Sequence, residues 1–109
     1  MKLDFLTIEE SVLPNFRGGE KEFNAKMFFD GINRIMKGRL VSGASIGMHQ
    51  HDTSCEVIYI LSGTASVICD GEEETLTAGQ CHYCPKGSTH TMKNNGTEDL
   101  LFFAVVPQQ

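Results

Sequence analysis

Turn signals recur so often along this chain that few stretches between them are long enough for a helix. Asp30-Gly31, Ser62-Gly63, Asp70-Gly71, Ala78-Gly79 and Asn94-Asn95-Gly96, with Pro85 and Gly87 among them, cut it into short pieces. No apolar stretch keeps a 3.6-residue period convincingly, whereas period-two alternation is plain in places. Phe23, Ala25, Met27 and Phe29 alternate with Glu22, Asn24, Lys26 and Phe28 up to Asp30-Gly31. That pattern predicts a half-buried strand ending in a hairpin turn, with residues 32–41 as its partner. Further strands are expected over residues 43–51, 56–61, 64–69, 73–76, 80–84, 90–93 and 100–106, with Ser62-Gly63 and Asp70-Gly71 both read as hairpin turns. About nine short strands at regular spacing predict an all-β barrel or two-sheet sandwich with little or no helix.

A length of 109 residues suits one domain with one core. Only the first 20 residues resist a strand assignment. Residues 8–13 read either as one helical turn or as a short strand, and Pro14 ends whichever forms. Leu3, Phe5, Leu6 and Phe16 make segment 1–20 a candidate to pack on the barrel or on a partner chain, leaving 21–109 as the barrel proper.

The formal charge of −5 argues against a nucleic-acid partner, which needs clustered Lys and Arg to displace counterions. Acids interrupt the N-terminus where a signal peptide needs an apolar run, and no segment approaches the roughly 20 apolar residues of a membrane span. A cytoplasmic protein with four reduced cysteines is therefore expected. Cys81 and Cys84 form a C-x-x-C, but three steps of strand cover roughly 10 Å, beyond the roughly 7 Å Cα limit for a disulfide. With no second such pair to complete a zinc site, buried structural thiols are the simpler reading.

Candidate chemistry gathers around three of the four histidines. His49 and His51 are two apart, so on a strand they point to the same face. Glu56 opens the next strand after the Asp52-Thr53-Ser54-Cys55 reversal, and His90 follows the loop 85–89. A lone histidine is usually an ordinary surface or core residue. Three imidazoles and a carboxylate together make a hard-to-borderline donor set for a divalent transition metal.

These residues also sit in a longer pattern. Gly43, five residues, His49, one, His51, four, Glu56, six, Gly63 closely resembles the first signature of the cupin family. Gly79, five residues, Pro85, one, Gly87, two, His90, three, Asn94 resembles the second. All ten positions are filled, on the order of 10⁻¹³ by chance if each had roughly one chance in twenty. One departure is Gln80, where many members carry an acid after the glycine; a turn-shaping role is expected for it.

The resemblance implies a double-stranded β-helix, or jelly roll, with His49, His51, Glu56 and His90 as metal ligands at one end of its lumen and open coordination positions for a small molecule. It also implies a homodimer. Family chemistries include dioxygenation, oxalate degradation, sugar-phosphate isomerisation and lyase reactions. A small metalloenzyme acting on a carboxylate-bearing or hydroxylated molecule is the expected function, a non-catalytic binding module or a purely structural metal the alternatives. Manganese, iron, nickel and zinc all suit the donors.

Strand parity nominates the lumen residues. Ile58 and Ile60 share the face of Glu56, and Met92 that of His90, forming an apolar wall. Arg34 could clamp a carboxylate or extend along the rim. His82 and Cys84 share one face of their strand, Cys81 and Tyr83 the other, and parity leaves open which pair faces inward.

Overall fold

The computed structural model describes residues 1–109 and is built from ten strands. They are β1 (Ser11–Pro14), β2 (Glu22–Phe29), β3 (Asn33–Leu40), β4 (Ser45–Gln50), β5 (Glu56–Ser62), β6 (Thr64–Cys69), β7 (Glu72–Thr77), β8 (Cys81–Cys84), β9 (Thr89–Lys93) and β10 (Leu100–Pro107). A single 3₁₀ turn, Phe16–Gly18, is the only helical element. The strands form a six-stranded sheet in the order β1-β2-β3-β10-β5-β8 and a four-stranded sheet in the order β4-β9-β6-β7. Every pairing is antiparallel.

Two of the turns act as their sequences suggest. At Asp30-Gly31 the Asp30 carboxylate accepts from the backbone N–H of Ile32 and of Asn33, at 2.9 and 2.7 Å, and fixes the β2–β3 hairpin. Asp70 and Gly71 both take positive φ, 50° and 82°, the pairing a two-residue turn needs to match strand twist. Ser62-Gly63 behaves otherwise than the hairpin reading. It carries the chain from β5 in one sheet to β6 in the other, so those neighbours in sequence do not pair. Gln80 accepts through its side-chain oxygen from the Thr77 backbone N–H at 2.8 Å, the turn-shaping role expected of it.

Fifteen buried side chains drawn from both sheets form one core, with Phe23 stacked on Phe102 at 5.7 Å between ring centroids. The N-terminal segment lies against this body. Residues 11–14 form a strand, not a helical turn, and pair with β2, while Phe5 meets Phe103 edge-on at 5.6 Å. Its 3₁₀ turn approaches β4 backbone to backbone, where a Cβ on Gly47 would strike the Arg17 carbonyl.

Candidate functional site

One irregularity in β4 aims the first two histidines. The register slips between Ile46, which faces Met92, and His49, which faces His90, so β4 carries one more residue than β9 over that interval. This is a β-bulge, and it lets Ile46 and His49 both face inward despite their odd separation. His49 and His51 then share that face, as their spacing requires. The Gly47 carbonyl inside the bulge faces His49 Nδ1 at 2.8 Å.

Opposite β4, the loop after Pro85 is tied to His51 by its backbone. Gly87 N–H donates to the His51 carbonyl at 2.6 Å and His51 N–H to the Ser88 carbonyl at 3.0 Å. These two bonds lock both histidine-bearing stretches together. Asn94, fully buried, closes the end of the second stretch by donating to the carbonyls of Leu40 and Glu98, both at 2.8 Å, and accepting from Gly96 N–H at 2.9 Å.

The four donors converge. Nε2 of His51 lies 3.0 Å from Nε2 of His90, and Nε2 of His49 lies 3.2 Å from each. Glu56 Oε1 lies 3.1 Å from Nε2 of His51 and of His90. The partners on the other side of each ring determine what those Nε2 atoms can be. His49 Nδ1 faces a carbonyl, which only accepts, so the proton of the neutral ring sits on Nδ1. His51 Nδ1 lies 3.0 Å from the Ser54 hydroxyl, which can accept.

His90 is held by a relay. Its Nδ1 lies 3.0 Å from Nε2 of His82, whose own Nδ1 lies 3.3 Å from the Glu74 carboxylate. The carboxylate only accepts, so His82 carries its proton at Nδ1, accepts at Nε2, and leaves the His90 proton on Nδ1. With the His51 proton likewise on Nδ1 and donated to Ser54, all three Nε2 atoms present lone pairs to one another and to a carboxylate oxygen. Such a grouping is repulsive unless positive charge sits among them.

Burial pushes the Glu56 carboxyl up, but its interactions with the facing rings of His51 and His90 outweigh that and hold it at about 2. Burial, aided by the neighbouring His90 and His51, pushes His49 below its ordinary value. Burial also lowers His82, with His90 adding to it.

A cavity of about 270 Å³ opens over the four donors. Arg34, Ile58 and Met92 line it, together with Phe23, Met36 and Phe102 and, from the N-terminal turn, Phe16 and Arg17. Ile60 faces inward but lies in the core, clear of the cavity. The Arg34 guanidinium sits 4.6 Å over the Phe29 ring, and its Nε is buried with no hydrogen-bond partner. On β8 it is His82 and Cys84 that face inward, both buried behind His90 and away from the cavity. Tyr83 is 56% exposed on the opposite face, so its hydroxyl cannot reach a molecule in the cavity.

Three contributors have no signature in the sequence pattern: Ser54, Glu74 and the cavity-lining residue Asp52. Asking what holds the second nitrogen of each histidine would have pointed at Ser54, three residues after His51 in the turn. Glu74 comes from β7, and nothing in its spacing links it to His82.

A family model described as a cupin domain matches residues 37–106. A Thermotoga maritima protein named an oxalate-binding protein is 30% identical over 100 residues, covering 86% of this chain and 83% of that protein. Among solved structures, one from Thermotoga maritima described as a predicted oxalate decarboxylase superposes with a TM-score of 0.93 at 27% identity over the whole of both chains. A cupin 2 conserved barrel domain protein from Salinispora arenicola superposes with a TM-score of 0.73 at 23% identity, covering 97% of this chain and 87% of its own.

Proposed function

The chain belongs to the cupin family, and from that premise and the donor geometry we propose that it holds one divalent transition-metal ion on His49, His51, Glu56 and His90 and binds a small carboxylate there. The observation that carries this reading is the convergence of three imidazole Nε2 atoms and a carboxylate oxygen, five of their six pairs standing 3.0–3.2 Å apart and all of them within 4.8 Å. Donors about 2.1 Å from one ion are about 3.0 Å apart at right angles and about 3.4 Å apart in a tetrahedron. The separations therefore favour a right-angled, six-coordinate arrangement over a closed tetrahedral structural site. Four donors leave two positions of such a set free, which suits both oxygens of a carboxylate or of a dicarboxylate. Manganese, iron, nickel and zinc remain the candidate ions.

Bound there, the ion would act as a Lewis acid on a coordinated carboxylate. Arg34 supplies what the rest of an anion would need, since its buried Nε has no acceptor of its own. The apolar walls Ile58, Met92 and Phe102 keep bulk water from competing for it. The name of the Thermotoga maritima relative supports oxalate as the first ligand to try. Calorimetric titration of oxalate into manganese-loaded protein is expected to show a single site that disappears on chelation and in His51→Ala. Equal binding by metal-free protein would overturn the reading.

Turnover is a second reading, favoured by Asp52, a carboxylate at the cavity that could carry a proton. Carbon dioxide release from oxalate, lost in Asp52→Asn while binding persists, would support it. We also propose a cytoplasmic homodimer. The outer face of the six-stranded sheet carries Tyr83 beside Val57 and Phe103 beside Tyr59, with Val57, Tyr59 and Tyr83 all exposed, and a second copy is the occupant proposed for this apolar face. A monomeric mass by light scattering would refute the dimer.

A further inference from the structure

Behind His90, on the side away from the cavity, β6 and β8 bring a second set of donor atoms together. Cys69 Sγ, Cys84 Sγ and a ring nitrogen of His82 lie within 4.8 Å of one another. The placement follows from register. Cys69 pairs across the strands with His90 and Cys84 with Glu56, so each thiol stands beside one of the four donors already described. The cluster spans the two sheets, since β6 belongs to one and β8 to the other. It borders a surface hollow of about 350 Å³ lined by Cys69, Asp70, Glu72, Glu74, His82 and Tyr83. Three carboxylates and no Lys or Arg line that hollow, a field that draws cations in.

Neither cysteine is in a disulfide. Burial, with Cys69 next, pushes the Cys84 thiol up to about 12, and burial also raises Cys69. A reactive redox cysteine needs the opposite, a thiol poised to ionise. What removes protons from two such thiols is a soft cation bound directly to the sulfurs. Two thiols and an imidazole match the donors such ions take, and the Glu74 carboxylate stands by as a fourth.

We propose that Cys69, Cys84 and His82 form a second site, for one thiophilic cation of the Zn²⁺ or Cu⁺ class. On binding, both thiol protons and any proton on the ligating ring nitrogen pass to solvent, and no electron changes hands. His82 Nε2 faces His90, so the nitrogen left for a cation is Nδ1, beside the Glu74 carboxylate. The site is independent of the proposed function.

The test uses the full, reduced, metal-free chain. Co²⁺ bound by thiolates gives an intense near-ultraviolet charge-transfer band that nitrogen and oxygen donors do not. The band is expected in the wild type and in the His49→Ala/His51→Ala double variant, and not in Cys69→Ser/Cys84→Ser. Its absence from the wild type, a measurement needing no variant, overturns the site.

Discussion

Replacing Arg34 by Met should move ligand binding and stability in opposite directions. The guanidinium Nε is buried and has no acceptor, and leaving a buried donor unpaired costs about 1–3 kcal/mol. Methionine keeps much of the apolar stem and removes that donor. Against this gain stands the lost guanidinium contact with Phe29 at 4.6 Å, worth about 0.5–1 kcal/mol. The ligand-free protein should therefore be unchanged or more stable by up to about 2 kcal/mol, a rise in Tm of several degrees for a domain of this size. Carboxylate binding loses a charge-assisted hydrogen bond of about 1.5–3 kcal/mol, a roughly 10- to 150-fold rise in Kd. Thermal melts of ligand-free protein and calorimetric titration of oxalate into the manganese-loaded form measure the two halves. Oxalate affinity within twofold of wild type would show that Arg34 does not meet the anion. A loss of more than about 1 kcal/mol in the ligand-free protein would show that its Nε is not an unpaired donor.

Three other perturbations read different parts of the structure. His82→Leu removes the acceptor that fixes His90 and should weaken Mn²⁺ binding about 10- to 100-fold with the fold retained; unchanged affinity by competition with a chelator would dismiss the relay. Glu56 is held below its ordinary 4.5, and His49 and His82 below their ordinary 6.5, so the unfolded chain takes up more protons than the folded one. Stability is therefore expected to fall as pH drops below about 6.5, and further from 4.5 towards 2 as Glu56 protonates, with bound metal lost in the upper part of that range; a urea midpoint that rises on acidification from pH 7 to 4 would contradict this. Gly47→Ala drives a Cβ into the Arg17 carbonyl and should cost about 1–3 kcal/mol, with faster proteolysis of segment 1–20 as the local readout; a wild-type Tm and cleavage rate would mean that this contact does not hold the segment.

The barrel strands were legible because their alternation and turn residues are local properties. Two features at their junctions were not. Ser62-Gly63 has the residues of a hairpin turn, yet it passes the chain between sheets, and only long-range pairing decides that. Within β4, His49 and His51 share a face by simple parity, but that parity takes no account of the bulge that turns the face inward, whose one local mark is the isolated Gly47. Parity likewise tied His82 to Cys84 without choosing their side. The choice comes from β8 lying at the sheet edge, paired to β5 in a register that sets Cys84 beside buried Glu56 and His82 beside Ile58. The approach of Cys69 to Cys84 was invisible for the same reason: fifteen residues and a change of sheet separate them in sequence.

His49 and His90 come from the four-stranded sheet and His51 directly follows β4, whereas Glu56 begins β5 of the six-stranded one. An ion held by all four would fasten a seam that no ladder of backbone hydrogen bonds crosses. Loading the site is then a mechanical event as well as a chemical one, slowing the parting of the sheets at that end. Hydrogen exchange of the β4 and β5 amides should record it, with protection rising on metal addition in strands whose own pairings are untouched.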